Sequence, residues 1–229
     1  MSDDATLSAF RLADSFLPVG TYTVSYGLEQ FTQDDRIDDA DDLRELLGTY
    51  LRRQVGPAEL VALRAAHATA TTGDLDGICE ADRRLSAVTL SAEFRESAQQ
   101  SGDRLLSLQR ELQDEDTLER YAERVAAGDA PGNYAVVLGV TTALAGIEVR
   151  RACLLCCHGF VTGLLGAAQR LLSLGHTDAQ RVLDDLRPVM VEAVDDSDDT
   201  DLDEMAPFAP LVDVLAAEHE RAERRLFAS

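Results

Sequence analysis

Cys153, Cys156, Cys157 and His158 fall within six residues, and thiols beside an imidazole are the ligands of a zinc, nickel or haem-attachment site. The haem reading fails, because Cys157 and not a histidine follows the second cysteine of the CxxC. A closed zinc site needs a second ligand pair. Outside this run the chain offers only Cys79 and three scattered histidines, His67, His176 and His219. The spacing also fits a helix: Cys153, Cys156, Cys157, Phe160 and Leu164 make one apolar stripe at i, i+3, i+4, i+7 and i+11. A free thiol behaves as a small hydrophobe. The stripe therefore predicts core or a subunit interface, with direct nickel or zinc binding as the alternative, and no metal ligand set is assigned.

Other chemistry is scarcer. The sequence holds no Gly-x-Ser-x-Gly, no His-Glu-x-x-His and no dinucleotide fingerprint. All 21 basic residues are Arg; without Lys there is no P-loop nucleotide site, Schiff base or lysine nucleophile. Against them stand 26 Asp and 16 Glu, for a net charge of −21. That balance excludes binding to nucleic acid or an anionic membrane, which need a basic surface. An Asp-rich, lysine-free surface predicts a protein adapted to concentrated salt, where a Debye length of about 3 Å screens the repulsion. The polar start Met1-Ser2-Asp3-Asp4 and four Cys predict a cytoplasmic protein. No catalytic residue and no cofactor is expected.

The elements that must carry these residues read as helices. Ala and Leu dominate and alternating patterns are absent, so an all-α, single-domain bundle of about ten helices over residues 1–229 is predicted. The helices are placed at 5–16, 23–33, from about 40 to Gly56-Pro57, from Pro57 to about 71, and at 75–90, 91–113, 116–127, 133–146, 147–174, 177–194 and 208–227. Leu43, Leu46, Leu47, Tyr50 and Leu51 give the third its apolar face. Thr177 with Gln180 has capping-box spacing.

Residues 130–147 and 152–169 carry no Asp, Glu or Arg. Their length approaches a membrane span, but they are rich in Ala and Gly and only Glu148-Val149-Arg150-Arg151 separates them. They predict the buried centre. Asp195 to Glu204 holds seven acids in ten residues. A solvated acidic loop over 195–206 is expected, or an acidic partner-binding arm.

Leu17-Pro18-Val19-Gly20-Thr21-Tyr22-Thr23-Val24-Ser25-Tyr26-Gly27-Leu28-Glu29 reads as a helix stop, a turn, and a helix start with Tyr22 and Tyr26 four apart. A tight interhelix turn and a partner-binding loop both fit. The stretch resembles the N-terminal signature of the UreF-type urease accessory proteins at every specified position. Three further blocks are similar to that family, in order: Phe94-Arg95-Glu96-Ser97 with Gly102 to Leu106, Leu174 to Gln180, and His219-Glu220 with Arg225 to Ser229. The resemblance covers about residues 7 to 229. His176 and Ala179 depart from the family's usual Gln and Gly, and the Cys-rich run has no familiar counterpart.

The resemblance implies a non-enzymatic assembly factor for nickel urease. Such a protein forms a homodimer, links a UreD/UreH-type accessory protein and a UreG-type GTPase, and assists GTP-dependent nickel insertion into apo-urease. Nickel would be bound at the level of the complex. The partner-binding residues would be Tyr22, Ser25, Tyr26, Glu29, Arg225, Leu226 and Phe227, with the tail 224–229 docking on the UreD/UreH-type partner. Leu154, Cys157 and His158 would face the dimer. A rival reading makes the chain a GTPase activator that inserts Arg225 or Arg224.

Overall fold

In the computed structural model, residues 2–14, 16–19 and 26–219 are described. The chain order is α1 (Asp3–Ala13), α2 (Leu28–Gln33), α3 (Ala40–Tyr50), a π-helical stretch (Leu51–Leu60), α4 (Val61–Thr72), α5 (Leu75–Val88) and α6 (Ala92–Leu112). It continues with α7 (Asp116–Ala126), α8 (Tyr134–Leu144), α9 (Val149–Leu171), α10 (His176–Asp185), α11 (Arg187–Asp196) and α12 (Pro210–His219). No strand occurs among the described residues, and the fold is an all-α bundle. Short polar side chains start several helices by taking up the first free N–H groups: Ser2, Asp39, Asp74 and Ser91 accept from Ala5, Asp41 with Asp42, Gly77 and Phe94.

The centre is α8, where Ala135 to Thr142 are buried without a break. A helix apolar all round has to be enclosed, and three neighbours enclose this one. Helix α4 approaches so closely that a Cβ at Gly139 would sit 2.5 Å from the Leu63 carbonyl oxygen. Helix α6 crosses just before α8, where a Cβ at Gly102 would sit 1.9 Å from the Gly132 oxygen. Helix α9 lays Ala152, Cys153, Cys156, Cys157, Val161 and Leu164 into the same core. By length and composition α9 could cross a membrane, yet more than half of its apolar window is buried inside the fold. Both uncharged stretches thus fall at the centre, as expected.

One buried carboxylate ties the layers together. Asp82 of α5 is fully enclosed and accepts from Tyr121 Oη at 2.6 Å, Gly132 N at 2.7 Å, Asn133 N at 2.9 Å and Asn133 Nδ2 at 2.7 Å. Four donors offset part of the lost hydration, although burial still holds this carboxyl above its ordinary range.

The structure corrects several boundaries. Gly56-Pro57 breaks nothing: the chain runs helically from Ala40 to Thr72, and the π-helical stretch absorbs the proline. Wider π turns tolerate the missing N–H. Gly56 is needed because a Cβ there would meet the Leu51 oxygen at 2.9 Å. The single helix expected over 177–194 is two, meeting at Leu186–Arg187 with Pro188 in the first turn of α11. Thr177 makes no capping box; Gly175 precedes α10 without a side-chain cap. Helix α1 ends at Ala13 rather than 16, and the helix expected from 23 is described from Leu28.

Candidate partner-binding surfaces

Tyr26 and Gly27 adopt left-handed backbone, φ 46° and 77°, and this turn launches α2. It is held from inside. The Tyr26 ring packs 5.0 Å from Phe94 and 5.1 Å from Phe160, and Tyr50 lies 5.7 Å from Phe160. The Tyr50 hydroxyl donates to the Tyr26 carbonyl oxygen. Burial, then the Glu59 carboxyl, pushes the Tyr26 phenol well above its ordinary range. Glu29 is buried and accepts from Gln33 Nε2 at 3.2 Å. Tyr26 and Glu29, expected at a partner surface, thus turn their functional groups inward. The physical reason is the aromatic cluster, which gains more by enclosing the ring than solvent exposure would offer. Tyr22 and Ser25 lie outside the described residues, as do Arg225, Leu226, Phe227 and the rest of the tail 224–229.

The cysteine stripe is core. Cys79, Cys153, Cys156 and Cys157 are free and buried. Burial pushes the Cys153 thiol up to about 11 and the Cys157 thiol up to about 12, so neither is a thiolate at neutral pH. Among the described residues no three His, Cys, Asp or Glu side chains are grouped to hold a metal. Of the residues expected to face a dimer partner, Cys157 is enclosed by the chain's own core, Leu154 is half-buried and His158 is exposed. Partial desolvation of the ring against its neighbours, followed by the nearby Arg187 charge, holds the His158 imidazole below its usual value.

Two apolar surfaces escaped the sequence reading. On and after α1, Leu7, Phe10 and Phe16 are 64%, 67% and 91% exposed. Leading into and along α12, Phe208, Leu211 and Val214 recur every third residue and are all exposed. The available signal was an excess of large apolar residues in α1: Leu12 already fills its inward face, leaving Leu7 and Phe10 without a core to join.

The acidic segment is tied down. Arg64 donates from Nε to Ser197 Oγ at 2.9 Å and from Nη2 to the Val194 oxygen at 2.8 Å, and its Nη1 pairs with Asp198. Arg150 holds Asp195 and Arg84 holds Asp203. Asp195 and Asp196 finish α11, and Leu202–Glu204 form a short 3₁₀ turn. The loop is solvated on one side and pinned by arginine on the other.

Beneath the N-terminal turn lies a mainly apolar cavity of about 100 Å³, bounded by Leu12, Tyr26, Phe94, Cys156 and Phe160. Glu59 of the π-helical stretch also lines it, and burial pushes that carboxyl up to about 7.

Residues 37–187 match the family described as UreF. The chain is similar to the urease accessory protein UreF of Trichodesmium erythraeum (strain IMS101), with 32% identity over 223 residues that span 97% of this chain and 96% of that protein. It is 30% identical to the urease accessory protein UreF of Yersinia enterocolitica over the full length of both, and equally so to that of Yersinia pseudotuberculosis.

Proposed function

The chain belongs to the UreF family of urease accessory proteins, and from that premise we propose that it is a non-catalytic scaffold for urease maturation. It joins a UreD/UreH-type accessory protein to a UreG-type GTPase and assists GTP-dependent delivery of nickel to apo-urease in the cytoplasm. Nickel is cargo of the assembled complex rather than a ligand held by this chain. The observation that supports this most is the pair of exposed apolar rows, Leu7 with Phe10 and Phe208 with Leu211 and Val214, beside a core whose thiols are buried and protonated. Surfaces of that kind suit docking, because aromatic and aliphatic anchors dominate interfaces.

In this reading the outer face of α9, with Leu154 and His158, meets the same face of a second copy around a two-fold axis. Tyr22, Ser25, Arg225, Leu226 and Phe227 meet the other accessory proteins. Tyr26 and Glu29 brace that surface from behind rather than touching the partner. Arg225→Ala is expected to reduce recovery of the UreD/UreH-type partner at least about tenfold, as loss of an arginine anchor does. Its melting curve should match that of the unchanged chain. Co-purification in high salt reads the outcome, and undiminished recovery overturns the role. GTP turnover by the UreG-type protein, measured in the same mixtures, should not rise; stimulation lost with Arg225→Ala would instead make the chain a GTPase activator.

A further inference from the structure

The cavity beneath the N-terminal turn holds an acidic group without a counterpart. Glu59 lines it, and Oε2 of that carboxyl has no hydrogen-bond partner. The Glu59 charge acts on the Tyr26 phenol on one side and on the Cys156 and Cys157 thiols of α9 on the other. The carboxyl therefore stands between the turn and that helix. No Arg or His occurs among the described residues of the lining. Only a hydrogen bond from its own backbone opposes the effect of burial on this carboxyl. A buried carboxylate of this kind is stabilised by a cation, and the fold supplies none.

The rest of the lining decides which cation fits. Tyr26, Phe94, Tyr134 and Phe160 contribute rings to it, and the Tyr26 ring centre lies 5.0 and 5.1 Å from those of Phe94 and Phe160. Other polar groups are engaged elsewhere: Asn133 Nδ2 donates to Asp82, and the Thr89 and Thr162 hydroxyls donate to the Leu85 and His158 carbonyl oxygens. A bare metal ion is held by about six oxygens, whereas one carboxyl among rings and aliphatic side chains suits a cation that brings its own apolar body. Size follows from volume. A cavity of about 150 Å³ takes benzene, so about 100 Å³ encloses roughly four or five non-hydrogen atoms. There is also a way in: Ala13 and Asp14 on the rim are exposed, and a Cβ at Gly159 in the opposite wall would meet nothing within 4 Å.

We propose that this cavity binds a small organic ammonium ion, its nitrogen on the Glu59 carboxyl and its short alkyl body against the rings of Tyr26, Phe94 and Phe160. Tyr26 is both a wall of the cavity and part of the turn that launches α2, so an occupant steadies the N-terminal segment from beneath.

The test uses the full chain in concentrated potassium chloride at about pH 8, with n-butylammonium, 1-butanol and butyrate as probes of one shape and three charges. Calorimetry should show one saturable site per chain for butylammonium, with roughly millimolar affinity, at least about tenfold tighter than for butanol, and none for butyrate. Butylammonium should also raise the melting temperature, and inorganic ammonium, which has no apolar body, should not. Burial pushes Glu59 up to about 7, so affinity for butylammonium should fall about tenfold between about pH 8 and about pH 6 as the carboxyl takes up its proton. The Tyr26 phenol and the Cys156 and Cys157 thiols, all pushed up by burial, stay neutral over that interval. Tyr134 on α8 and Asp14 on the rim complete the acidic groups of the lining, and Asp213 shares a smaller neighbouring cavity with Glu59. Glu59→Gln should bring butylammonium and butanol to within about twofold of each other. Ala98→Leu, which fills the cavity from α6, should abolish binding of both. Asp103→Asn, at an exposed position on the same helix, should change neither and so controls for the acidic surface. Should Glu59→Gln fail to fold, Ala98→Leu and the pH ratio carry the comparison. Absence of saturable binding, butanol bound as tightly as butylammonium, an equal effect of inorganic ammonium, or binding that survives Ala98→Leu overturns the site.

Discussion

Asp82 carries more of the architecture than any other single side chain described above. Its two oxygens gather donors from α7, from the turn at Gly132 and from Asn133, so truncation strands several buried N–H and O–H groups at once. Each stranded donor costs about 1–3 kcal/mol. Asp82→Ala is therefore expected to lose about 4 kcal/mol or more, and Asp82→Asn less, because the amide keeps one acceptor. Melting curves of the two variants, recorded in the same high-salt buffer, check the order. Nothing in the sequence marks this residue. It is one of 26 Asp, and its importance follows from enclosure, which no local pattern records. Tyr26 and Glu29 teach the same lesson from the opposite side: a signature identifies the residues that matter, yet not which way they point. The cysteine stripe was legible, because its helical spacing already separated an apolar face from a ligand set.

Among the elements, glycine separates the contacts that can yield from those that cannot. A methyl group at Gly102 would meet three backbone atoms of the Gly132–Tyr134 segment, at 1.9, 2.8 and 2.9 Å, and backbone cannot step aside as a long side chain can. Gly102→Ala is expected to cost about 4 kcal/mol or more, or to prevent folding. At Gly159, inside α9, a methyl group meets nothing within 4 Å. Gly159→Ala should stabilise the chain by about 0.5–1 kcal/mol by removing unfolded-state freedom. Thermal unfolding of both variants reads the contrast; equal effects would mean that α6 does not press on the Gly132 turn. The amphipathic helices were legible in outline, since Leu43, Leu47, Tyr50 and Leu51 are indeed buried on one face. Gly56-Pro57 was not, because the same dipeptide ends an α-helix but fits within π turns. Nor was the division at Leu186, since Pro188 sits in a first turn and interrupts no hydrogen-bonded ladder.

For the whole molecule, the net charge of −21 sets the solvent in which all of this holds together. The cross-links seen at the surface, such as Arg52 with Glu192 and Arg110 with Glu119, are half-exposed pairs of the kind that contribute little and weaken as salt rises. Self-repulsion among the carboxylates also weakens with salt, and here acids outnumber arginines two to one. The second effect is expected to win. The melting temperature should climb as potassium chloride is raised from about 0.1 M to several molar, where screening shortens to about 3 Å. Circular dichroism at 222 nm (a wavelength chosen for helix content) follows it, and a flat or falling trend would show that the ion pairs outweigh the repulsion. Composition made the class and the core legible together: with acids nearly everywhere, the charge-free runs could only be interior. The exposed rows on α1 and α12 were hidden because an apolar residue reads the same whether it meets its own core or a partner's.

The π-helical stretch between α3 and α4 has one more consequence. Each residue of an α-helix turns the chain by about 100°, and π turns advance it less. Residues 51–60 therefore act as a rotational offset, setting the phase between the face of α3 that buries Leu43 and Leu47 and the face of α4 that buries Leu63 and Ala66. A deletion of one residue there would leave an unbroken helix with good local propensities, but its two ends would be out of step. In this family, length within that stretch should be guarded more strictly than the identity of most of its side chains.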